Sequence, residues 1–145
     1  SARRGHGAHV GGGSGGEGDV AGDRPIEVSG ERQLGRALLA TGFAYDVHRS
    51  ADDNVDHFAH FVKRARGLRR DGSAALDLCY VAAGRLDGYW ELKLHPWDIC
   101  AGSLIVEEAR GRVSDFLGRP SRGDGLRVVA SNGHLHDAMI GVLRE

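Results

Sequence analysis

Three short pieces of this chain carry residues with chemical potential, and each stands where an extended run gives way to a helical one. In "LHPWDICAG", Asp98 follows Trp97 at the head of the apolar run "SLIVEEA". Pro96 suits the position before or at the first helical residue, where its absent N–H costs nothing. That sets Asp98 in or beside the first turn, where unpaired backbone N–H groups favour negative charge. Its carboxylate is then either a helix-end stabiliser or a ligand for something cationic. In "DGSAA", Gly72 turns the chain into a second helix headed by Ser73, Ala74 and Ala75. The free N–H groups of such a turn can hold hydroxyls or an anion. Glu91 lies between the aromatic pair Tyr89-Trp90 and Leu92, in a run of strand-forming residues. Sites in open α/β sheets gather at such strand-to-helix junctions.

Two other groupings invite a chemical reading. Of eight histidines, His57 pairs with His60 and His134 with His136. The first pair, at i and i+3 on a helix, can present two ligands to one zinc ion. No Cys or His spacing supplies the remaining ligands clearly. Surface histidines on a polar helix face are the plainer account, and His134 and His136 belong to the opening turn of the last helix. The basic run "KRARGLRR" suits a helix C-terminus followed by a solvated loop. It holds no interleaved aromatic residue to stack bases, which argues against single-stranded nucleic acid.

The elements that must position these residues follow from periodicity. "RPIEVS" alternates as a short strand, and "GRALLATGF" centres a buried strand on Leu38 and Leu39. Over 52–66, Val55, Phe58, Phe61, Val62 and Ala65 recur at helical spacing, with aspartates in front and basic residues behind. "SAALDLCYVAA" is a helix with Ser73 as N-cap and Gly84 just past its end. "RLDGYWELKL" reads as a strand, 97–109 as the third helix, "GRVSDFLG" and "GLRVVAS" as two further strands. A final helix starts near Asn132, with Leu135, Met139 and Val142 on one side. Strands alternating with helices at these lengths give an α/β fold with a largely covered sheet.

Composition narrows the setting. The chain has 145 residues, 41% hydrophobic and 27% charged, enough for one domain with its own core. A net charge of −1 gives no global pull toward nucleic acid or anionic membrane, and no apolar run is long enough to span a bilayer. Cys79 and Cys100 sit in apolar helical patterns as small hydrophobes, which points to a reducing compartment, with the cytoplasm as the default. Nine of the 23 glycines fall in the first 22 residues. Residues 1–23 are therefore expected to be a flexible segment, and 24–145 the folded α/β unit.

The run "GSAALDLCYVAAGRLDGYWELKLHPWDICAG", followed by "LIVEEARGRVSD" and "VVASN", resembles the C-terminal half of the inositol monophosphatase family. These are Mg²⁺-dependent, lithium-sensitive phosphomonoesterases with a layered α/β fold. The W-D-x-A-A-G-type signature stands as Trp97-Asp98-Ile99-Cys100-Ala101-Gly102, and "RRGHGA" is similar to an upstream glycine element. The resemblance runs from about Arg24 to Leu143. It implies that Asp98 is a metal ligand that also contacts substrate, and that Gly72, Ser73 and Ala74 line the inositol ring. Glu91 would accept hydrogen bonds from ring hydroxyls, a task suited to a group that only accepts. His95 and Trp97 would support or pack, and Arg69 or Arg70 would face a dimer interface or the substrate pocket. A homodimer is the usual assembly.

The resemblance also marks departures. Mg²⁺ needs several oxygen ligands, and the family takes most of them from a helix glutamate and a D-P-x-D-G-T element. No "DP" occurs in this chain, so Asp98 is the one recognisable ligand. The chain alone is therefore expected to be inactive, a fragment or processed product. The alternative is a non-catalytic module binding protein or RNA on the same scaffold. Asp71 stands where a neutral residue is usual and is expected to disfavour an anionic substrate. An unpaired sheet edge and uncovered apolar surface are expected beside "RPIEVS".

Overall fold

The computed structural model describes residues 8–10 and 24–145. Strands with apolar side chains on both sides need cover on both sides, and this requirement organises the fold. The main sheet holds β3 (Leu38–Thr41), β4 (Gly67–Arg69), β5 (Gly88–Leu92), β6 (Arg112–Ser114) and β7 (Arg127–Ser131), in the order β4-β3-β5-β7-β6. β3 runs parallel to β4 and β5, and β7 antiparallel to β5 and β6. Because side chains alternate along a strand, Leu39, Trp90 and Val129 share one core cluster while Ala40, Tyr89 and Val128 share another.

Helices α1 (Val55–Val62) and α4 (His136–Leu143) cover the first face through Phe61 and Met139. Helices α2 (Ala74–Ala82) and α3 (Pro96–Glu108) cover the second through Leu78, Ile99 and Val106. Three layers result, the α/β class read from the sequence. Among the described residues no helix is long and apolar enough to cross a membrane.

Several local expectations need correction. Of the expected flexible segment 1–23, the structure describes Ala8–Val10, which form β1 and pair antiparallel with β2 (Arg24–Ile26). The rest of that segment lies outside the described residues. This ribbon stands apart from the main sheet, whose edges are the three-residue strands β4 and β6. The expected edge beside "RPIEVS" is therefore not an edge of the main sheet.

Helix α1 begins at Val55 rather than at 52, because Asn54 adopts φ 71°. Of its expected apolar face only Phe61 is buried. Cys100 is exposed on α3 rather than packed inside, and Cys79 is partly buried. Trp97 is 75% exposed and stacks on the His95 ring at 4.4 Å, so neither residue packs into the core.

Candidate functional site

The parallel strands β4, β3 and β5 end on one side of the sheet, and the segments after them enclose a cleft of about 600 Å³. Gly72, Ser73, Ala74, Glu91 and Asp98 all line it. The structure thus brings together every site residue selected from the sequence. Gly42, Phe43, Tyr45, Arg70, Ala75 and Leu94 complete the wall.

Each side chain is placed by local chemistry. Gly72 takes φ 83°, a conformation open to glycine, and turns the chain so that Ser73 caps α2. The Ser73 hydroxyl oxygen accepts from the Leu76 N–H at 3.2 Å, which leaves its own proton free to donate. Pro96 opens α3, and Asp98 Oδ2 accepts from the His95 N–H at 2.8 Å. Asp98 is thus a helix-end stabiliser that still presents Oδ1 without a hydrogen-bond partner among the described residues. Both roles considered for it are compatible.

Glu91 sits on β5, half-buried, and receives a 2.5 Å hydrogen bond from the Tyr89 hydroxyl at Oε1. Burial holds its carboxyl above the ordinary value; the Tyr89 bond opposes this and the Asp98 charge reinforces it. Burial, and then the Glu91 charge, push the Tyr89 hydroxyl up in turn, so it serves as a donor. Glycine at 42 makes room for the carboxylate: a Cβ there would lie 2.6 Å from Glu91 Oε1.

A buried polar network sets the loop that carries Gly42 and Phe43. Asn54 Nδ2 donates to Thr41 Oγ1 at 2.9 Å and to the Gly42 carbonyl at 2.8 Å. Trp90 Nε1 donates to Asn54 Oδ1 at 2.6 Å, and Thr41 Oγ1 donates to the Trp90 carbonyl at 2.6 Å. Farther along, Lys93 Nζ donates to Asp46 Oδ2 at 2.8 Å and to Ser50 Oγ at 3.0 Å. Sequence reasoning missed Asn54, whose only signal was its place among the polar residues before α1.

Beneath the site, Asp77 on α2 is 1% exposed with its Oδ1 unpartnered. Burial first, then the neighbouring Asp71 carboxyl and the Glu91 charge, push it up to about 7. Asp71 itself lines a separate depression with Arg69 and Arg85.

His136 is buried at the start of α4, its Nε2 2.6 Å from Ser114 Oγ and its Nδ1 2.8 Å from Ser131 Oγ. Burial, with the charge of Arg112, lowers its pKa to about 4. His57 meets the Phe116 ring edge-on at 5.5 Å. Among the described residues, no group of three or more His, Cys, Asp or Glu is placed to hold a metal ion.

The model of the inositol monophosphatase family matches residues 1–145. An inositol-1-monophosphatase from Synechocystis is 47% identical over 116 residues, covering 80% of this chain and 40% of that protein. A Pseudomonas aeruginosa protein named Nus factor SuhB is 41% identical over 127 residues, covering 86% and 47%. The solved inositol monophosphatase from Anabaena superposes with a TM-score of 0.81 at 45% identity, covering 83% of this chain and 48% of that one. Mycobacterium tuberculosis SuhB superposes at 0.79 with 40% identity, covering 99% and 52%. The chain spans about half the length of the curated relatives it matches.

Proposed function

The chain belongs to the inositol monophosphatase family, and from that premise we propose that its cleft holds the polyol of a phosphate monoester whose hydrolysis the whole fold carries out. The supporting observation is the convergence of Gly72, Ser73, Ala74, Glu91 and Asp98 on one cleft. Glu91 accepts from ring hydroxyls, since Tyr89 occupies only its Oε1. The Ser73 hydroxyl and the first N–H groups of α2 donate to polyol oxygens or to the ester's negative charge. Asp98 fixes the head of α3 and offers its remaining oxygen to the reacting end.

The family resemblance calls for Mg²⁺, which when bound polarises a phosphate and activates water. Mg²⁺ demands a near-octahedral shell of oxygens, and Asp98 is the one ligand position recognised in this chain. The described residues do not complete that shell. The isolated chain is accordingly a substrate-binding half without phosphatase activity of its own, and a homodimer is the assembly in keeping with the family.

Turnover of inositol 1-phosphate with Mg²⁺ tests this. The isolated chain should show none, and activity that disappears in Asp98→Asn would overturn the reading. Fused behind the first half of a family member, Asp98→Asn should lower turnover by orders of magnitude. Glu91→Gln should instead cost roughly 1–3 kcal/mol in substrate affinity, the worth of a hydrogen bond to a charged group. A second reading rests on the relatives named Nus factor SuhB: a non-catalytic module that binds protein or RNA. A fusion that folds and binds such a partner without turning over any polyol phosphate would favour it.

A further inference from the structure

A second cavity, of about 490 Å³, opens on the face of the sheet covered by α1 and α4, where His57, the end of α4 and the segment after β6 meet. It shares no lining residue with the polyol cleft. Its floor is apolar: Phe116 and Leu143 are buried, while Leu117 beside them stays 51% exposed. His57 closes one side as a neutral ring, because burial first and then the Arg127 charge hold its pKa below the ordinary value. The charge around this floor is mostly of one sign. Arg119, Arg127 and Arg144 line it against a single carboxylate, that of Asp115.

That carboxylate is already engaged. Asp115 Oδ1 accepts from the N–H groups of Leu117 and Arg119 at 2.8 and 2.9 Å, and Oδ2 accepts from Arg119 Nε at 2.8 Å. One cation is thereby neutralised. Arg127 Nη2 donates to Asp52 Oδ2 at 2.8 Å, and its guanidinium lies 5.4 Å from the centroid of the Phe116 ring. Arg144 has no side-chain partner among the described residues, and the adjacent Glu145 is turned to Arg64 at 2.7 Å. With Asp52 included, three guanidiniums face two carboxylates, and one positive charge at Arg144 stays uncompensated beside an apolar floor.

A guanidinium fork matches a carboxylate through two parallel N–H bonds, and aromatic walls favour a flat apolar body. Ligand pockets of this volume are mostly apolar, with a few polar groups that fix orientation. We infer that this pocket is a binding site for a small organic monoanion, an aromatic body on Phe116, Leu117 and Leu143 with its carboxylate at Arg144. The inference stands independently of the polyol reading, because the two sites have no residue in common.

Probes of related shape separate charge from apolar contact. Naphthalene-2-carboxylate carries both, its carboxamide keeps the rings without the charge, and acetate keeps the charge without the rings. Naphthyl phosphate replaces the monoanion by a group of higher charge. Affinities are read from amide chemical-shift titrations of the chain at low salt, followed at 115–119, 127 and 143–144. The naphthoate should bind at least about tenfold more tightly than the carboxamide or acetate, in line with a charge-assisted hydrogen bond added to buried apolar area. Arg144→Gln should erase the advantage over the carboxamide without weakening the carboxamide itself, and Arg144→Lys should restore part of it. Leu117→Ala should weaken naphthoate and carboxamide alike, by about fivefold. Arg144 and Leu117 are exposed, so these variants should keep the wild-type amide spectrum away from the pocket. Glu91→Gln, in the cleft, should leave every one of these affinities unchanged.

Equal affinities for naphthoate and carboxamide, or a ratio that survives Arg144→Gln, overturns the inference. So does the absence of shifts at these residues, the result expected if a second copy of the chain fills the pocket in solution. Naphthyl phosphate bound more tightly than the naphthoate would overturn the choice of a monoanion. Naphthoate shifts confined to Ser73 and Glu91, and lost in Glu91→Gln, would place the binding in the cleft and overturn the separate site.

Discussion

Replacing Asp77 by asparagine removes one charge from beneath the cleft and changes the pH dependence of stability in a calculable way. Asp77 titrates at about 7 in the folded chain against 3.8 in its unperturbed state. The folded state therefore holds this proton more tightly, and the contribution is fully present below pH 3.8 and lost as pH rises through about 7. A shift of that size corresponds to about 4 kcal/mol. His136 acts in the opposite sense. Its folded value of about 4 lies below 6.5, so its contribution is present above pH 6.5 and lost as pH falls toward 4, by about 3 kcal/mol.

In the wild type these two limbs largely offset each other between pH 4 and 6.5. In Asp77→Asn only the rising limb of the pair survives. Any fixed cost of burying the amide is the same at both ends of the range. The stability difference between variant and wild type should therefore move by about 4 kcal/mol in the variant's favour from pH 4 to pH 8. Urea titration followed by tryptophan fluorescence measures it, because Trp90 is fully buried beside Phe61 while Trp97 is already exposed. A difference that stays constant from pH 4 to pH 8 would refute the assignment of a raised Asp77.

Two further substitutions probe the positioning of the site. Gly42→Ala places a methyl 2.6 Å from Glu91 Oε1, so the carboxylate must move; polyol affinity should fall about tenfold, with the unfolding midpoint little changed. Equal affinity in the variant would show that Glu91 does not hold the ligand. Asn54→Ala strips hydrogen-bond partners from Trp90 Nε1 and the Gly42 carbonyl. A loss of about 2–4 kcal/mol should follow in urea unfolding, the cost of leaving buried polar groups unpaired. A loss below 1 kcal/mol would mean that the network contributes little net stability.

What the sequence determined by itself is what depends on neighbouring residues. Ser73 after Gly72, and Pro96 two residues before Asp98, announce helix starts through capping and the missing proline N–H. Alternation in "GYWEL" and "RVVAS" announces strands whose two faces are both apolar. The family resemblance then identified five residues that the fold does gather in one cleft.

Tertiary structure decided which charges meet. Thr41 and Trp90 are 49 residues apart, yet they share a hydrogen bond that sets the end of β3 against β5. No local pattern marks that pairing, and none marks Asn54, which joins both. Arg69 and Arg70 are adjacent in a run that reads as one solvated basic patch, but they line different depressions. Asp71 lines the same depression as Arg69. Where a side chain points at the end of a strand depends on the turn and the neighbours it packs against, and those neighbours come from distant parts of the chain. The sequence places His136 in the opening turn of the last helix, and it is packing against Ser114 and Ser131 that buries it completely.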